Sequence, residues 1–121
     1  MCQFTKVLVE KVFDEIENYN MDIKTDLQIR QFNPIQVAPN LWFSVQASFG
    51  HYCTPQQTFS DLDNYSHWEF AIFNEEGFMS VKNILPDFPS LAELDLYFDG
   101  SVYAYVPADL VEELYLVLRH Y

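Results

Sequence analysis

Two stretches of the chain alternate apolar and polar residues at a period of two, which is the pattern of a half-buried strand. In Leu41-Trp42-Phe43-Ser44-Val45-Gln46-Ala47-Ser48, the odd positions are apolar and share one face. His67-Trp68-Glu69-Phe70-Ala71-Ile72-Phe73 is the second, and Val102-Tyr103-Ala104-Tyr105-Val106 repeats the pattern near the end. Leu27-Gln28-Ile29-Arg30-Gln31 predicts a further strand, and Pro34 and Pro39 bracket a loop or edge segment after it. Asn74-Glu75-Glu76-Gly77 has hairpin chemistry, with Phe78-Met79-Ser80-Val81-Lys82 as the return strand. Asp99-Gly100 signals another turn.

Near the two ends the period lengthens. Leu8, Val9, Val12, Phe13, Ile16 and Tyr19 recur at spacings of three and four, which predicts a helix over 6–20 capped by Thr5. Pro107 suits the first position of a closing helix whose stripe is Leu110, Val111, Leu114, Val117, Leu118 and Tyr121. A short helix over Ser90–Leu94 takes Ser90 as its cap. With no repeat and no Gly/Ser linker, the prediction is one α+β domain over 1–121. Its antiparallel sheet of about four to five strands packs one face against an N-terminal and a C-terminal helix.

Charge changes the picture more than length does. The 121 residues carry 18 Asp plus Glu against 6 Lys plus Arg, a formal charge of -12, yet half of them are hydrophobic. Such a chain folds rather than staying disordered. It lacks the bases for ordinary nucleic-acid or anionic-membrane binding. Residues 61–113 hold twelve of the acids and a single base, Lys82. Acids dispersed through a foldable pattern predict a folded face with a strong negative field. No apolar run approaches the roughly 20 residues of a membrane span, and no signal peptide is visible. Cys2 and Cys53 read as free thiols, so the expected setting is the cytoplasm of a host cell.

Several chemistries compete with plainer structural roles. His51, Cys53, His67 and Glu69 hold metal-ligating types, but in no zinc-like spacing, so neither metal nor cofactor is expected. Cys53 with His51 or His67 would need a depressed thiol pKa, which an acidic neighbourhood opposes. No Gly-rich phosphate loop is present. The expected role is therefore non-enzymatic. Phe49, Tyr52, Phe59, Tyr65, Phe88, Tyr97 and Phe98 lie in irregular stretches, either as a second small core or as a binding surface. Trp42, Tyr103 and Tyr105 fall on the sheet face opposite the helices.

Ser44-Val45-Gln46-Ala47-Ser48, His51-Tyr52-Cys53, Pro55, Tyr65-Ser66-His67-Trp68-Glu69 and Val102-Tyr103-Ala104-Tyr105-Val106-Pro107 together resemble a group of small phage and mobile-element proteins. The resemblance covers residues 41–73 and 102–121 and carries no assigned catalytic residues. It implies an accessory gene of a phage or plasmid, of an anti-defence (anti-CRISPR-like or anti-restriction) kind. The expected function is an acidic inhibitor that binds a basic nucleic-acid-binding protein or defence complex, mimicking nucleic-acid charge. Its expected surface comprises Asp61, Asp63, Glu69, Glu75, Glu76, Asp95 and Asp99, with Tyr65 and Tyr97. The alternatives are a signalling-nucleotide binder using Arg30, Lys82 and Arg119, and an accessory protein that assembles with itself, for example as a homodimer.

Overall fold

A computed structural model describes residues 2–11 and 30–121. Six strands form one antiparallel sheet: β1 (Ile35–Ala38), β2 (Leu41–Gln46), β3 (His67–Asn74), β4 (Gly77–Met79), β5 (Phe98–Asp99) and β6 (Val102–Pro107). The order is β1-β2-β3-β6-β5. β3 is the centre. β2 pairs along one side of it, while β6 takes the His67–Phe70 half of the other side and β4 takes Ile72–Asn74.

The alternation in β2 and β3 sets the two faces. Phe43, Val45, Trp68, Phe70 and Ile72 are almost fully buried on one of them. Among the described residues four α-helices join that core: α1 (Phe4–Val7), α2 (Val81–Ile84), α3 (Leu91–Asp95) and α4 (Ala108–Leu118). Phe4 packs edge-on against Trp68 at 5.1 Å, and α4 contributes Leu110, Val111, Leu114, Tyr115 and Leu118. The α+β prediction with one helix-covered face is thus what the chain forms.

The N-terminal prediction needs correction. The helix is one turn, because Leu8 turns extended (φ -73°, ψ 130°) and Glu10 pairs with Phe32. Its N-cap is Gln3, not Thr5, whose hydroxyl donates back to the Cys2 carbonyl at 2.9 Å. The capping acceptor comes from α4: the Glu112 carboxylate receives the Gln3 N–H at 2.8 Å and the Phe4 N–H at 3.1 Å. The rest of that predicted helix, 12–20, and positions 27–29 of the predicted strand lie outside the described residues.

Other boundaries shift for local reasons. β4 stops at Met79, since Ser80 and Asn83 form a capping box that starts α2, so Val81 and Lys82 are helical. Ser90 stands at the N-cap of α3 as expected, but its hydroxyl makes no capping bond; it donates to Glu113 at 2.8 Å and ties α3 to α4. Pro107 is the N-cap of α4 rather than its first residue. The buried stripe of α4 runs through Tyr115, leaving Val117 39% exposed, and Tyr121 lies past the helix end.

β6 holds the most informative departure. Simple alternation would place Tyr103 and Tyr105 together. Instead Tyr105 adopts φ 56°, and the β3–β6 register slips between Trp68 and Phe70. This bulge turns Tyr103 into the core, stacked on Phe70 at 4.4 Å and 8°, and leaves Tyr105 exposed.

Gly77 and Gly100 sit in the two hairpin turns at φ 135° and 78°, and the space a Cβ would take is open at both. Any cost of a side chain there is a backbone cost. Gly77→Ala and Gly100→Ala are each expected to lower stability by about 1 kcal/mol in chemical denaturation. A neutral result at both would show that these turns tolerate ordinary backbone geometry.

Candidate functional site

Among the described residues, the sheet face opposite the helices is only partly covered. Trp42, Ser44 and Gln46 of β2 pair there with Phe73, Ala71 and Glu69 of β3. Residues 9–11 and 31–33 form a small antiparallel ladder over one end, through Lys11 N–H to Gln31 O (2.8 Å) and Asn33 N–H to Val9 O (2.7 Å). The Gln46 side chain fastens this ladder to the sheet. Its Oε1 accepts the Phe32 N–H at 2.8 Å and its Nε2 donates to the Phe32 carbonyl at 2.9 Å, as a neighbouring strand would.

A groove of about 330 Å³ remains, lined by Gln46, His51, Glu69, Phe73 and Phe78, with Lys11 also bordering it. Phe73 lies between Trp42, stacked at 5.8 Å, and Phe78, edge-on at 6.2 Å; Phe78 is 60% exposed. Tyr52 and Tyr105 pair with each other at 5.8 Å, and the Tyr105 N–H donates to the Tyr52 carbonyl at 3.0 Å. The bulge in β6 therefore anchors the 49–53 loop against this face.

Glu69 is half-buried, and its carboxylate accepts the Tyr52 N–H at 3.1 Å. Burial raises its pKa, offset in part by that hydrogen bond. His51 is held by Ser48, with Nδ1 2.7 Å from Oγ. Burial and the nearby Arg30 guanidinium lower its pKa to about 4, so at neutral pH it carries no charge.

Arg30 is the residue whose role no sequence pattern disclosed. Its guanidinium is buried, donating to the carbonyls of Phe59 and Ala47 and to the Tyr65 hydroxyl, with its carbon 4.6 Å from the Phe32 ring centroid. Tyr65 adds bonds from its hydroxyl to Gln57 O (2.6 Å) and from the Phe59 N–H (2.7 Å). This network organises the 47–65 connection.

The expected acidic surface separates into two classes. Glu69, Glu112 and Glu113 are half-buried, and each accepts hydrogen bonds described above. The other nine acids between 61 and 113 are exposed, including Asp61, Asp63, Glu75, Glu76, Asp95 and Asp99. They are not gathered at one point. Asp61 and Asp63 precede β3, with Asp61 Oδ1 accepting the Asp63 N–H at 3.0 Å, while Glu75 and Glu76 follow its far end, roughly 25 Å away by strand rise. Asp95 closes α3 and acts electrostatically on the Tyr103 hydroxyl, and Asp99 lies in β5. Two predicted members are not surface groups: Tyr65 is buried in the Arg30 network, and Tyr97 packs partly buried against the core. Phe59, Phe88 and Phe98 are also core or packed against it, whereas Phe49 and Tyr52 remain exposed.

Cys53 is buried and its thiol donates to the Ser48 carbonyl at 3.3 Å; burial pushes its pKa up, the reverse of what a nucleophile needs. His67 Nδ1 lies 2.7 Å from the Ser66 hydroxyl. Among the described residues no group of three or more His, Cys, Asp or Glu is placed to hold a metal ion, and no helix is long and apolar enough to cross a membrane. Arg30, Lys82 and Arg119 have separate surroundings: the loop network, the exposed side of α2, and the Tyr115 ring. No family model, curated protein or solved structure matches the chain.

His51 and Glu69 pull stability in opposite directions with pH. His51 has a lowered folded pKa, so its contribution is present above about pH 6.5 and is lost as the pH falls toward about 4, on the order of 2 kcal/mol. Urea midpoints of wild type should fall across that window, and His51→Asn should flatten the slope; a parallel slope would deny His51 this role. Glu69 has a raised folded pKa, so its contribution is present at low pH and lost as the pH rises through the raised value. Glu69→Gln retains an acceptor for Tyr52 and removes the charge. It is expected to raise the melting temperature at pH 7 and to give no gain at pH 4, where a lowered value at pH 7 would contradict the assignment.

Proposed function

We propose that the protein is an acidic binding protein that docks on a basic nucleic-acid-binding protein and occupies the place of nucleic acid there. The observation that carries this reading is the division of the acids. Three between 61 and 113 are half-buried and serve the fold through hydrogen bonds, and nine stand exposed in a stretch whose one base is Lys82. Among the described residues no carboxylate is paired with a cation. A surface needed only for solubility works with mixed signs, whereas one sign in such excess steers an oppositely charged partner. The resemblance to phage and mobile-element proteins supplies the setting, with a host defence complex as the target. The raised Cys53 pKa and the hydrogen-bonded histidines favour a binding role over catalysis.

The separation of Asp61 and Asp63 from Glu75 and Glu76 narrows the mimicry. Carboxylates spread over about 25 Å suit an extended basic channel better than a single phosphate pocket. The test is competition with DNA for a DNA-dependent defence complex at about 50 mM and about 300 mM salt. The expected result is DNA displacement whose affinity falls at least about tenfold at the higher salt, with neutral substitutions at Glu75, Glu76, Asp95 and Asp99 weakening it further and leaving the fold intact. Salt-insensitive binding, or binding that leaves DNA in place, would overturn the reading.

A further inference from the structure

We infer that the groove on the open sheet face seats one arginine side chain of the basic partner, with Glu69 as its counter-charge. This rests on the docking function proposed above and names its anchor. The carboxylate is half-buried and fixed by the Tyr52 N–H, so it is already oriented. An ionised carboxylate accepts several hydrogen bonds, and Tyr52 provides one. Among the described residues no cation stabilises it: its raised pKa comes from burial, and the opposing influence is the Tyr52 bond. Lys11 borders the groove on an exposed side chain that reaches solvent. A half-buried carboxylate with no cationic partner is a poor choice for stability and a good one for receiving a cation.

The walls select which cation. Phe73 and the exposed Phe78 line the same groove, further along β3 from Glu69 with Ala71 between on that face, and the face of a ring attracts a cation. A guanidinium is planar, stacks on rings and remains charged at every physiological pH, whereas an ammonium is compact and strongly hydrated. The volume of about 330 Å³ lies at the small end for ligand sites, suited to one long side chain rather than a cofactor. Tyr52, whose N–H holds Glu69, is exposed and pairs with the exposed Tyr105, and arginine and tyrosine are among the residue types that dominate interface energetics.

The probe is a capped Gly-Ser-Arg-Ser-Gly peptide, with a citrulline version that keeps the shape and loses the charge. Amide shifts on titration are expected to concentrate at Tyr52, Glu69, Phe73 and Phe78. Both the citrulline peptide and the Glu69→Gln protein should bind at least about tenfold more weakly. Asp87→Asn removes the same unit of charge from the helix-covered side and should bind the arginine peptide as wild type does. Since Glu69→Gln is expected to be the more heat-stable protein at pH 7, its loss of binding would not be a loss of fold. Equal binding by Glu69→Gln and wild type, or by the citrulline peptide, would overturn the groove as the seat even if shifts at Glu75 and Glu76 upheld acidic docking. If polyarginine failed to bind anywhere at low salt, the docking function itself would fall, and this inference with it.

Discussion

The register of β3 is the constraint on which the other elements depend. It is hydrogen-bonded on both sides, and its alternation sends Trp68, Phe70 and Ile72 beneath the helices and Glu69, Ala71 and Phe73 to the opposite face. A slip of one residue would exchange the two sets, driving a carboxylate into the core and three large apolar side chains toward solvent. The Phe70–Tyr103 stack fixes this register against β6, adding about 1 kcal/mol beyond the area the rings bury. From there the consequences run outward. Tyr103 reaches the core only because Tyr105 takes a left-handed backbone, and its hydroxyl accepts the Val81 N–H at 2.8 Å, which seats α2.

Period and turn chemistry make the sheet legible in the amino-acid sequence. β2, β3, the Asn74–Gly77 hairpin and α4 follow from alternation, glycine placement and a helical stripe, all local signals. What is not legible depends on partners far along the chain. Leu8 and Val9 fit a helical stripe, but the pairing of Glu10 with Phe32 decides their extended form. Tyr105 reads as the neighbour of Tyr103 on one face, because a bulge leaves no compositional mark when its left-handed residue is not glycine. Arg30 sits in an alternating segment like any exposed base, and its burial shows only once the 47–65 connection folds around it.

The acids are visible in the sequence as a concentration of charge, but their division of labour is not. Glu112 caps a helix turn more than a hundred positions earlier in the chain, Glu113 holds Ser90, and Glu69 orders the 49–53 loop from within the groove. Those three tie distant segments of the fold together, and the exposed remainder creates the field. Glu69 belongs to both roles, because its hydrogen bond orders a loop while its uncompensated charge opposes burial. A group that costs stability while it orders a loop is where the proposed docking role and the fold would compete.

A basic partner needs a negative potential on the open sheet face, and the two tryptophans report on that potential directly. Trp68 is 1% exposed and out of reach of a quencher, whereas Trp42 stacks on Phe73 on the open face, next to the strand end leading to Glu75 and Glu76. Collisional quenching of native fluorescence by caesium and by iodide, each scaled to free tryptophan, therefore reads the potential at Trp42. At low ionic strength caesium is expected to quench several-fold more effectively than iodide, and the two are expected to converge as salt shortens the Debye length to a few ångströms. Equal quenching by the two ions at low salt would contradict a negative potential on that face.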